Sequence, residues 1–187
     1  MTADTRSKLL ATAASIAAQT AYDDLSISRI CQLAELPVSA FKAEFGDVQA
    51  YIEALQQEFL RNIRTRIIHV TDGSARGTLR IKLGSESYLA YCAENAGVRA
   101  WLVAAREQPR VRRGLQQQNH SFTLVLGAEL KGLGRHFPDA AARLYIAMLN
   151  EVANSEQRAQ QRLPELREAL WHFLDHVGEQ NERSDAA

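Results

Sequence analysis

Apolar side chains recur at helical spacing along nearly the whole of this 187-residue chain, and little in it favours strands. Only four prolines interrupt the pattern, and β-branched residues rarely cluster. Leu9, Ala13, Ile16 and Ala17 line one face of a first helix that Thr5 can cap. The stretch Ala21-Tyr22-Asp23-Asp24 ends it. Ser26 is placed to cap a second helix with Ile27, Ile30, Cys31 and Ala34 inward. Leu36-Pro37 breaks that helix, because proline disfavours helical geometry in the residue before it. Phe41 and Phe45, four apart, make the inward stripe of a third helix; Gly46 ends it and Asp47 caps a fourth. The fourth helix carries Ile52, Leu55, Phe59, Ile63 and Ile67 on one stripe and stops at a small, polar linker over 71–77. Further helices are expected at about 78–94, 96–107, 109–134, 138–160 and 163–178. Pro109, Pro138 and Pro164 each fall in a first turn, where a missing N–H costs little.

The pattern predicts an all-α fold: a three-helix head joined by a long helix to an all-helical body. The expected domains are 1–48 and 49–180, and the polar tail 181–187 is expected to be disordered. Composition agrees with a globular chain, at 46% apolar and 24% charged residues. No run approaches the roughly 18 apolar residues of a membrane span, and no signal-peptide core opens the chain. Cys31 and Cys92 match no metal spacing and read as buried thiols in a reducing cytoplasm. The chain carries no nucleophile elbow, no phosphate-cradling glycine loop and no paired carboxylates in an apolar setting. Neither an enzyme nor a cofactor is expected.

Residues 26–45 read as a helix, a tight turn and a second short helix. Such a pair, held at a fixed angle by a small core, is one way proteins put a helix into the DNA major groove. Charge opposes that reading. Residues 1–50 hold Arg6, Lys8, Arg29 and Lys42 against Asp4, Asp23, Asp24, Glu35, Glu44 and Asp47, a formal charge of −2. Phosphate neutralisation supplies most non-specific affinity, so a single head should bind DNA weakly, and a dimer would double its contacts.

This head, followed by a long helix and an all-helical body, resembles the TetR family of bacterial transcriptional regulators. Ala21-Tyr22 before Ser26-Ile27, then Ile30-Cys31, Ala34, Leu36, Phe41, Phe45 and Asp47 carry the resemblance, which is specific over residues 6–60. Over 78–180 only length and helical pattern match. The resemblance implies a homodimer on a palindromic double-stranded operator, a small-molecule effector in the body, and release of DNA when that effector binds. Four positions depart from the family pattern. Pro37 stands where a capping serine is usual, Lys42 where a phosphate-touching tyrosine is usual, Val48 where a lysine is usual and Ala21 where glycine is usual.

The outer face of the third helix would be Val38, Ser39, Ala40, Lys42, Ala43 and Glu44. Ser39 can meet a base edge, Ala40 and Ala43 thymine methyls, Glu44 a cytosine amino group, and Lys42 a phosphate oxygen. Arg6 and Arg29 are further backbone contacts. Each charge could equally be solvated surface. In the body, Tyr88, Tyr91, Cys92, Trp101, Phe122, Leu126 and Met148, with His120 and Asn150 as polar groups, suit an effector pocket. For any single one of them an ordinary helical core is the stronger reading. Leu144 and Glu151, with Leu170, Trp171, Leu174 and Val177, lie on two final helices apolar on more than one side, and such helices fit subunit pairing. His172 and His176 share a helix face, but two histidines alone are a weak metal signal, and no metal site is expected. The clusters Arg110, Arg112, Arg113 and Arg61, Arg64, Arg66 could be nucleic-acid patches. The resemblance puts both on the body, which favours salt bridges or a hinge.

Overall fold

The computed structural model describes residues 2–178, with side chains from Thr5 onward. The expected disordered tail lies outside the described residues. Among those residues there are ten α-helices and no strand. They are α1 (Thr2–Ala11), α2 (Ala13–Ala17), α3 (Ile27–Ala34), α4 (Val38–Glu44), α5 (Val48–Thr71), α6 (Thr78–Glu94), α7 (Ala96–Ala104), α8 (Pro109–Gly132), α9 (Pro138–Ala159) and α10 (Pro164–His176). Short 3-10 turns at Tyr22–Asp24 and Ala105–Glu107 complete the regular structure.

Several ends follow the expected chemistry. Proline opens α8, α9 and α10, and Asp47 Oδ1 accepts from the Ala50 amide at 2.7 Å to cap α5. One end differs. Thr5 lies inside α1 rather than capping it. The helix is interrupted instead at Thr12, whose hydroxyl bonds back to the Lys8 carbonyl at 2.9 Å and competes with the helical ladder.

The chain divides into two compact units. Among the described residues the first comprises 2–62 and 94–116, the second 63–93 and 117–178. Packing groups α7 and the start of α8 with the head, while the expected boundary at 48 rests on the long fourth helix leaving the head there. In the first unit, Leu9, Ile16, Ile30, Phe41, Tyr51, Ile52 and Trp101 are at most 1% exposed. Burying each such side chain contributes about 1.5–3 kcal/mol. Gly97 lets α7 lie directly on α2: a Cβ there would sit 3.0 Å from the Ala17 Cβ. Trp101 Nε1 donates to the Thr20 carbonyl at 2.9 Å, and the Gln108 amide donates to the Tyr22 hydroxyl.

In the second unit, Leu89, Leu130, Tyr145, Leu170 and Leu174 form the core. Its polar centre is an ion cluster. Arg167 holds Glu156 with two parallel bonds, Nε to Oε1 at 2.6 Å and Nη2 to Oε2 at 2.7 Å. Arg167 also meets Glu86, which pairs with Arg162 at 3.3 Å. No helix among the described residues is long and apolar enough to cross a membrane.

Candidate nucleic-acid interface

The helix-turn-helix is built from three local devices. Ser26 Oγ accepts from the Arg29 amide at 3.2 Å and starts α3. Glu35, at φ 53°, ends α3: its amide reaches Gln32 O, and the Leu36 amide reaches Cys31 O. This reversal satisfies two carbonyls that a helix end would otherwise leave open. Pro37 then precedes α4 in extended geometry and contributes no side-chain cap.

An aromatic trio fixes how α4 sits. The Phe41, Phe45 and Tyr51 ring centroids lie 5.2–5.5 Å apart. Tyr51 donates its hydroxyl to the Leu9 carbonyl at 2.9 Å, and burial pushes its pKa up, so it stays a neutral donor. Phe41 and Phe45 are thus core, as their spacing predicts. Burial likewise raises the Cys31 thiol.

The opposite face of α4 is open. Val38, Ser39, Lys42 and Ala43 are exposed, while Ala40 and Glu44 are half-buried. Lys42 has no carboxylate partner among the described residues. Arg6 stacks its guanidinium over the Phe45 ring at 4.7 Å, which holds it at the end of α4. Arg29 bonds Gln32 at 3.3 Å on α3. The structure thereby gathers the eight expected DNA-facing residues on α1, α3 and α4.

No family model matches this chain. No curated protein matches it either. Solved structures do. A transcriptional regulator from Rhodococcus sp. Rha1 is 17% identical with a TM-score of 0.81, over 92% of this chain and 95% of that one. A structure described as a proposed TetR-family transcriptional regulator from Rhodococcus sp. is 14% identical with a TM-score of 0.80, over 94% and 100%. The fatty acid degradation regulator FadR from Bacillus halodurans is 15% identical with a TM-score of 0.75, over 90% and 93%. The chain has the TetR-family fold.

Within this TetR fold the expected effector residues divide. Tyr88 on α6 donates to Asn150 Oδ1 on α9 at 2.7 Å. Cys92 and Leu126 are buried, and Tyr91, Phe122 and Met148 half-buried, in the same unit. Two residues lie elsewhere. Trp101 belongs to the first unit, where its indole donates to the Thr20 carbonyl and its ring lines a cavity with Ala17, Tyr22, Gly97 and Ala104. His120 is exposed on α8. The body also holds polar groups that residue pattern did not single out: Ser85 and the Tyr145 hydroxyl, 2.7 Å apart, and the buried Ser87 hydroxyl, which has no partner among the described residues. Serine at a helical position looks like surface in a sequence, so no signal marked them.

The expected pairing residues divide too. Leu144 and Glu151 are exposed, and Trp171 and Val177 are half-buried. Leu170 and Leu174 are fully buried where α10 packs on α9 within the chain. They share the inward stripe with Arg167, at three- and four-residue steps. On α8–α10 the outward large apolar residues are Leu124, Val125, Leu144 and Leu166, 39–62% exposed. His172 and His176 stack at 4.2 Å. Among the described residues no group of three or more His, Cys, Asp or Glu could hold a metal ion.

The arginine clusters also move. Arg110, Arg112 and Arg113 fall in the first unit, with the helix-turn-helix, because Val111 packs beside Gln56. Arg61 pairs with Glu58, and Arg66 lies 5.9 Å from the Tyr91 ring centroid.

Proposed function

We propose that this chain is a ligand-responsive, DNA-binding transcriptional regulator that reads a palindromic operator as a homodimer, most simply as a repressor. The reading rests on one observation above the others: an exposed α4 face carrying Ser39 and an unpaired Lys42, held rigid by the Phe41–Phe45–Tyr51 trio in a TetR fold. Residues 1–48 would read DNA, and residues 49–180 would take the effector and the second copy. Two-fold pairing through the outward apolar residues of α8–α10 would set two α4 helices about one DNA turn apart. Effector binding then releases DNA if effector and DNA favour different dimer conformations.

Binding to duplexes from the flanking genomic region, measured against salt, tests this. Wild type should bind one such duplex tightly. Lys42→Ala should weaken binding to every sequence and lower the salt slope by about one per head. A wild type that binds no flanking duplex even at low salt would overturn the reading.

A second reading has its own support. The formal charge of −2 over residues 1–50, Glu44 beside Lys42, and Val48 at the start of α5 suit a TetR-like dimer that has lost tight DNA binding. Such a dimer would serve as a ligand- or protein-binding module. Under that reading Lys42→Ala changes nothing in the duplex assay.

A further inference from the structure

We propose that Arg110, Arg112 and Arg113 form an accessory contact for the DNA phosphate backbone and offset the acidity of the helix-turn-helix. The proposal rests on the DNA-binding reading above. It starts from a charge imbalance that packing corrects. Residues 94–116 carry Arg99, Arg106, Arg110, Arg112 and Arg113 against Glu94 and Glu107, a formal charge of +3. That segment belongs to the same compact unit as the −2 head.

The three arginines are held at a defined place. The Gln56 side chain donates to the Val111 carbonyl at 2.9 Å, with both residues buried. Gly114 permits this approach, since a Cβ there would lie 2.6 Å from Gln56 Oε1. Glu53 and Gln56, the residues that anchor the cluster, lie five and eight positions beyond Val48 on α5. At about 1.5 Å per residue they are about 7.5–12 Å from the start of that helix. This distance is comparable to the screening length of roughly 10 Å in 0.1 M salt. The start of α5 is also where Val48 leaves no cation.

The guanidinium groups are available. Arg112 and Arg113 are exposed and meet no carboxylate among the described residues. Arg110 reaches Glu53 at 3.5 Å, with 53% of its side chain exposed. That separation exceeds the roughly 2.7–2.9 Å of a strong charge-assisted bond, so a phosphate can compete for it. By contrast, Arg99 is buried. A phosphate backbone is the occupant that fits: it offers repeated anionic oxygens of fixed spacing and needs no pocket.

A mixed-sequence duplex of about 40 base pairs serves as the probe, because phosphate contacts carry no sequence information. Arg112→Ala/Arg113→Ala should weaken binding about tenfold at low salt and lower the salt slope by about two per chain. Arg112→Lys/Arg113→Lys should stay near wild type, and both variants should melt as wild type does, since the exposed side chains hold no hydrogen-bond or ion-pair partner among the described residues. If the alanine pair keeps wild-type affinity and slope while Lys42→Ala loses affinity, the accessory contact is wrong and the DNA reading stands. If wild type binds no duplex at low salt, both fall.

Discussion

Gly114 illustrates what a single methyl group can disturb. In the sequence it is a glycine inside a helix, where alanine is favoured by up to about 1 kcal/mol. In the structure its missing Cβ makes room for Gln56, whose amide holds the buried Val111 carbonyl. Gly114→Ala would push that side chain off its acceptor and strand buried polar groups, at about 1–3 kcal/mol. The net expectation is a destabilisation of about 1 kcal/mol in urea unfolding; a more stable variant would contradict the close approach. The exposed face of α4 was legible at this scale. Lys42, Ser39 and Ala43 sit on the side of α4 opposite Phe41, and helical period alone separates those faces. The partner of Trp101 was not legible, because Thr20 lies 81 positions away in the chain.

At the level of helices, sequence and structure agree most where the stop and start signals are short-range. Ser26, Asp47 and the three helix-opening prolines act within one turn, so their neighbours in sequence are their partners in space. Ser26→Ala should cost about 1 kcal/mol of stability by removing the cap on α3, and Ser26→Asp should largely restore it; equal melting of wild type and the alanine variant would show that the cap is idle. Thr12 is the exception. Its back-bond to Lys8 breaks the first helix where apolar spacing runs on undisturbed. Leu170 and Leu174 pose a different problem. Periodicity marks them as apolar, but whether an apolar face meets the same chain or a second copy depends on where α10 folds back.

Across the whole molecule, the Arg167–Glu156 pair is the feature that separates the folded chain from its pattern. Both side chains are less than a tenth exposed. Desolvation raises the Glu156 pKa, but the Arg167 hydrogen bonds and the Leu163 amide outweigh it, and the carboxyl is held below its ordinary 4.5. A carboxyl lowered in the folded state stabilises above its unfolded pKa. That stability is lost as pH falls from about 4.5 through the folded value. Arg167→Ala would leave Glu156 buried and unpaired, at about 3–5 kcal/mol. Replacing both by methionine should recover most of the loss and remove this contribution to acid unfolding. Thermal melts at neutral pH and near pH 3 would check both statements; a single variant as stable as wild type would sink them.

The sequence by itself determined that the chain is helical throughout, where most helices begin and end, and that a helix-turn-helix with an aromatic core lies near the N-terminus. Those properties depend on spacing within a few residues. Tertiary structure alone decided which distant charges share a unit. It joined Arg110–Arg113 to the helix-turn-helix, Trp101 to Thr20, and Arg167 to Glu156. A charged residue at a helical position reads as solvated surface until a second helix lies against it. Its role is therefore set by the packing of elements far apart in the chain, where local periodicity carries no information.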